Sequence, residues 1–191
     1  MTQIVEEFTT VVPHWKPHVT PVDLDQATPA QLEALQVTPS NRKISDYVLV
    51  LAHDVETLKH RSPLFNAIMY NRGGMSRAER EIGAVGASIV NRCIYCAAVH
   101  AGRYNQLTKD ETAIAKIFAD GVDADIGARL SAILRFAVKL SACPPAADAN
   151  DLATLKDAGL NDEEILDLIL SSSLFGWANR LMHTLGEPVA E

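Results

Sequence analysis

The chain has 191 residues, 48% hydrophobic and 21% charged, a balance that supports a buried core and excludes a disordered chain. A formal net charge of -7, with no dense Lys/Arg run, excludes a general binder of nucleic acid or of anionic membranes. Three cysteines do not make a secreted disulfide framework, and Met1 to Trp15 lacks a signal-peptide pattern, so the expectation is a soluble cytoplasmic protein with no membrane span.

Residues 1–27 carry Pro13, Pro17 and Pro21 without helical periodicity, which predicts an extended N-terminal arm over the body or a neighbouring subunit, with Trp15 as its anchor. Residues 28–191 are expected to form one domain. Thr28-Pro29 opens a short helix to about Gln36, and Thr38-Pro39-Ser40-Asn41 breaks it. Apolar residues at 44, 47, 48, 51, 55 and 58 predict one helix from Ile44 to His60, and Ser62-Pro63 restarts a helix to Tyr70. Ser76-Arg-Ala-Glu79 is a capping box for a helix to about Val90, rich in small residues such as Gly83 and Gly86. Asn91 reads as the next N-cap, placing Cys93 in the first turn of a helix to about Asn105.

Thr108-Lys-Asp-Glu111 reads as a further capping box, for a helix to about Phe118. Asp120-Gly121 turns the chain, Asp125 to Ala142 forms a long amphipathic helix, and Pro144-Pro145 stops it. A helix from Asp148 to Asp157 ends at Gly159, and Asn161-Asp-Glu-Glu164 caps the last helix, to about Leu185. No alternating strand is visible, so the fold class is all-α. The runs Gly74–Glu79 and Gly159–Glu164 echo each other at an offset of 85, which suggests a degenerate duplication. Only its first copy carries reactive groups.

Those groups lie in the core motif, residues 76–105. On a helix, Cys93, Cys96 and His100 fall at i, i+3 and i+7, within roughly 60° of one another. Glu81 would join them from a separate preceding helix. By spacing alone the segment reads as a redox dithiol, as three zinc ligands lacking a fourth, or as buried structural cysteines. A helix N-terminus at Cys93 would lower its pKa. Cys143 reads as a spare helix-end residue, and Trp177 and His183 as core or cap residues, with pocket lining as their other reading.

The pattern Glu81-x11-Cys93-x2-Cys96-x3-His100 resembles the active-site signature of the alkylhydroperoxidase D (AhpD) family, within the carboxymuconolactone decarboxylase superfamily. Pro63-Leu-Phe, Leu134-Arg-Phe-Ala-Val-Lys-Leu140 and Ala158–Ile165 resemble its peroxidase-related branch, so the resemblance runs from about residue 40 onward. It implies an AhpD-like multi-helix domain, working without a cofactor or metal as a thiol-dependent peroxidase and typically homo-oligomeric, often on trimers. It also implies the roles. Cys96 would be the peroxidatic thiol, Cys93 the resolving and more exposed one, His100 the proton acceptor and Glu81 the end of the relay. The implied partners are a hydroperoxide and a dithiol reductant: a lipoyl domain, a thioredoxin-like protein or a small thiol. The family's second histidine, just before the peroxidatic cysteine, is Tyr95 here, a poor base at neutral pH. The alternatives are a general dithiol–disulfide oxidoreductase and a non-catalytic redox sensor or scaffold. A decarboxylase would not need both thiols.

Overall fold

In chain order, Thr28 caps helix α1 (Pro29–Leu35) through a complete capping box with Gln31. The computed structural model describes residues 3–36 and 44–190, so the expected break at Thr38–Asn41 lies outside the described residues. The single helix expected from Ile44 to His60 is instead two, α2 (Asp46–Leu51) and the start of α3 (Val55–Tyr70). Asp54 divides them. Its carboxylate accepts from the Thr57 N–H at 3.0 Å and hydroxyl at 2.7 Å, a local cap that competes with helix continuation. Conversely, Ser62-Pro63 restarts nothing, because Pro63 lies inside α3. Burial of Leu58 before it and of Ile68 and Met69 after it carries the helix through.

Helix α4 (Arg77–Val90) begins at the predicted box of Ser76 and Glu79 and lies at the centre of the fold, packed on α5 (Ile94–Thr108), α7 (Ala128–Ser141) and α9 (Asp162–Leu185). Its small residues make this contact close: a Cβ on Gly86 would lie 2.8 Å from the Ala137 Cβ. Ile82, Val85, Ile133, Leu134 and Leu168 fill the core around it. Arg80, 1% exposed, points from α4 back to the preceding loop, donating to the carbonyls of Ile68, Gly73 and Met75 and to Asp167 on α9. The guanidinium is buried because every side of it has an acceptor.

Thr108 opens no helix. It closes α5, its hydroxyl bonded back to the Tyr104 carbonyl, while Asp110 accepts from the Thr112 N–H to start α6 (Thr112–Asp120). Helix α7 starts at Ala128, after Gly127 at φ +86°, rather than at Asp125. Helix α8 (Ala149–Asp157) lies where expected, with Asp148 as its cap, and α9 keeps its predicted cap, Asn161. The two echoing segments do share a structure. Both form capping boxes, and Arg129 clasps the two box glutamates, Glu79 at 2.5 Å and Glu164 at 2.6 Å.

The fold is all-α apart from a small antiparallel pair, β1 (His14–Pro17) with β2 (Gly186–Val189). Four-residue strands containing Pro17 and Pro188 show no alternation, which is why no strand is legible in the sequence. Trp15, 5% exposed, donates from Nε1 to the Met182 carbonyl at 3.3 Å. Its ring covers Gly186, where a Cβ would lie 2.4 Å from it. Trp15, Tyr47, Val48 and Met182 share one apolar cluster with Cys93 and Cys96, so the arm and the last helix enclose the thiol pair. Among the described residues, no helix is long and apolar enough to cross a membrane.

Candidate active site

Between α4 and α5 the chain turns within three residues. Asn91 is the C-cap of α4, not the N-cap of α5, and its side-chain amide donates to the Ala87 carbonyl at 2.9 Å. Arg92 adopts φ +51°, the Arg92 N–H bonds the Ile89 carbonyl, and the Cys93 N–H bonds the Ser88 carbonyl. This is a Schellman turn with arginine where glycine is usual. From α9, His183 Nε2 lies 2.7 Å from the Asn91 carbonyl and adds a second tie at this turn. His183 is thus a cap residue, whereas Trp177 is exposed and belongs neither to the core nor to the pocket.

Cys93 therefore becomes the N-cap of α5, one position before the helix begins. Its thiol makes no capping hydrogen bond, but the Cys93 pKa is held below its ordinary value. The Cys96 thiol contributes most to this, against burial, and the Cys96 N–H in the first turn adds to it. Cys96 shifts the opposite way. Its thiol gives its hydrogen bond to Cys93 and is deeply desolvated, so its pKa is pushed well up. Asn179 on α9 reaches both sulfurs and donates to the Ser88 hydroxyl at 3.2 Å. Both cysteines are free and buried, Cys93 at 3% and Cys96 at 6% exposure. Both thiols are covered to a similar degree, so the greater exposure expected of Cys93 is not seen. Cys96 is the thiol that lines the neighbouring pocket.

On the other side of that pocket, Glu81 arrives from α4 as expected. It is fully buried, with Oε2 2.5 Å from His100 Nδ1 and Oε1 accepting from Arg77. Burial pushes the Glu81 pKa up, but His100 and Arg77 together outweigh it and hold the carboxyl below its ordinary value. A carboxylate only accepts, so His100 donates through Nδ1 and keeps Nε2 as its acceptor. Phe175 braces the imidazole edge-on, with ring centroids 4.1 Å apart. Arg77 is fixed in turn by the Met69 carbonyl and by Tyr70, whose ring centroid lies 3.9 Å away.

Cys96, His100 and Glu81 meet in a cavity of about 240 Å³ between α2, α3, α5 and α9. Tyr95 also lines it, and burial raises its pKa. A phenol so placed stays protonated and supplies no base at neutral pH. Cys143 lies apart, exposed beyond α7. A larger cleft of about 600 Å³ between α7 and α8 contains neither a thiol nor a histidine. Among the described residues, no group of three or more His, Cys, Asp or Glu is arranged to hold a metal ion, so the zinc reading of Cys93, Cys96 and His100 is set aside. Sequence reasoning missed Arg77, Arg61, Tyr47, Phe175 and Asn179. Arg77 had a signal, the i, i+4 spacing to Glu81. The others reach the site only through tertiary packing.

Comparison with known proteins agrees with the all-α fold. Residues 56–139 match the carboxymuconolactone decarboxylase family. The chain is similar to a peroxidase-related protein with an alkylhydroperoxidase AhpD core from Ralstonia eutropha JMP134. The two share 25% identity at a TM-score of 0.78, over 90% of this chain and 91% of the other. It is also similar to a peroxidase-related protein from Silicibacter sp. TM1040, at 25% identity and a TM-score of 0.74, over 91% and 93% of the two chains. The debrominase Bmp8, at 17% identity and a TM-score of 0.73 over 87% and 89%, shares the fold. No curated protein sequence matches significantly.

Proposed function

The chain is an AhpD-like member of the carboxymuconolactone decarboxylase superfamily, and from that premise we propose that it is a thiol-dependent peroxidase that reduces hydroperoxides through Cys96 and Cys93. One observation carries the reading: the Glu81–His100 hydrogen bond turns the imidazole into a fixed acceptor beside the pocket that Cys96 lines. The peroxidase-related relatives support the same class of chemistry.

Cys96 rests protonated, since its pKa is pushed up, so attack needs a base. His100 Nε2 takes the proton, directly or through one water, and Glu81 stabilises the imidazolium that forms. The Cys96 sulfur attacks the distal peroxide oxygen and the O–O bond breaks. The alkoxide leaves with the proton from His100 as an alcohol, and Cys96 becomes a sulfenic acid. Cys93, the thiol with the lowered pKa, then attacks the Cys96 sulfur. Hydroxide leaves as water with one proton and a Cys93–Cys96 disulfide remains. An external dithiol reduces it. The two thiols are one helical turn apart, so this cycle needs only local rearrangement.

The test is peroxide consumption with dithiothreitol as reductant. Cys96→Ser is expected to abolish turnover. Cys93→Ser is expected to lose steady-state turnover while one equivalent of sulfenic acid is trapped by dimedone. Turnover unchanged in Cys96→Ser overturns the reading. A general dithiol–disulfide oxidoreductase would instead reduce a model disulfide and leave peroxide untouched.

A further inference from the structure

The same pocket carries more positive charge than its chemistry needs. Among the described residues, Arg61, Arg77 and Arg103 line it against a single carboxylate, Glu81, a formal balance of three minus one in a chain of net charge -7. Arg77 is committed to Glu81, and Arg103 is exposed and reaches Gln106 at 3.1 Å. Arg61 is different. It has no carboxylate partner among the described residues, and its Nε is buried without a hydrogen bond. Its guanidinium stacks over Phe65, 4.6 Å from the ring centroid, and lies 5.8 Å from that of Tyr47. The Tyr47 hydroxyl is buried and faces the same guanidinium, which can donate to its oxygen, and burial pushes its pKa up to about 12, so its own proton stays free to give. A half-buried guanidinium facing a cavity with no counter-charge, its Nε fully covered, is costly to fold.

We propose that Arg61 and Tyr47 form an anion site that selects a carboxylate-bearing organic hydroperoxide, holding its carboxylate while its peroxide end lies at Cys96. This rests on the peroxidase reading and narrows its substrate class. The free Nε–H and the phenol supply two donors, which suit the two oxygens of a carboxylate. Val48, Val99, Phe175 and Met182 supply an apolar wall for the carbon chain between the two ends. At about 240 Å³ the cavity suits a medium chain rather than a long one.

The experiment measures calorimetric binding of a medium-chain ω-hydroxy acid, the unreactive product form, and of its methyl ester to the reduced protein. The acid is expected to bind roughly ten-fold or more tightly than the ester, as expected for a charge-assisted pair. Arg61→Gln is expected to reduce that preference to about two-fold or less, and Arg61→Lys to retain part of it, which separates charge from packing. Equal binding of acid and ester by the wild type overturns the proposal, as does a preference that survives Arg61→Gln. The wild-type comparison decides even if a variant does not fold. The matching hydroperoxy acid, assayed with dithiothreitol, separates the two readings. A selective site that consumes no peroxide leaves the anion site standing and sinks the peroxidase. Peroxide consumption without acid preference does the reverse.

Discussion

Glu81 has no solvent to share its charge with, so its two partners, Arg77 and His100, decide both its ionisation and its role. Its folded pKa lies below the ordinary 4.5. Its contribution to stability is therefore complete above pH 4.5 and is lost as the pH falls through the depressed folded value. Glu81→Gln keeps the shape and removes the charge. It is expected to destabilise the fold by roughly 3 kcal/mol at neutral pH, because Arg77 loses its partner in a buried pair. Denaturation followed against pH should show the wild-type advantage shrinking toward zero in acid. Peroxide turnover should fall about 100-fold or more, the scale of a lost proton relay. An advantage that persists unchanged in acid would place the stabilisation elsewhere. The thiol pair follows the same logic at short range: Cys93 and Cys96 are chemically alike, and their opposite pKa directions arise from which one receives the other's proton and the N–H groups of α5.

Helix α4 supplies Glu81 and Arg77 only because its other faces can be covered closely. Gly83 faces Ser171 and Leu168 on α9, and Gly86 faces Ala137 on α7. Gly86→Ala tests this. An Ala methyl there meets another methyl at 2.8 Å, one fixed to its own backbone and unable to swing away. Overpacking costs about 1–3 kcal/mol, and the better helix propensity of alanine returns up to about 1, so the expected net loss is about 1–2 kcal/mol. Urea unfolding should show a lower midpoint with an unchanged slope, and a midpoint at or above wild type would mean the α4–α7 contact is slack. Helix ends tell the complementary story. The caps at Ser76 and Asn161 form as read because their partners lie three residues away, whereas Thr108 had the same kind of letters and bonds backward to Tyr104 instead.

At the scale of the molecule, the site is closed by the two ends of the chain. β1 and β2 pair, Trp15 covers Gly186 and meets Tyr47 edge-on at 5.7 Å, and Tyr47 lines the pocket beside Cys96. Trp15→Ala is expected to cost about 3–5 kcal/mol in a thermal or denaturant melt, as for other buried aromatics. It should also speed alkylation of Cys96, because one wall of the thiol enclosure is gone. A stable variant with unchanged alkylation would show that the arm packs without sealing the site.

The sequence by itself determined the helical class, most helix starts and the register of Glu81, Cys93, Cys96 and His100, because caps and i, i+3, i+7 spacings act over one or two turns of chain. It also held the Arg77–Glu81 pair at i, i+4, a signal that had to compete with many similar surface pairs. Only the tertiary structure decided that the chain turns at Arg92 so that Cys93 caps a helix, that Asn179 reaches the thiols from α9, and that Arg61 packs over Phe65 beside Tyr47. It also decided that the N-terminal arm becomes a strand, since Trp15 and Gly186 meet from opposite ends of the chain. These contacts depend on burial between distant segments, for which local spacing carries no signal. The Glu–Cys–Cys–His stretch supplies the reactive groups, and packing assigns each one its neighbours.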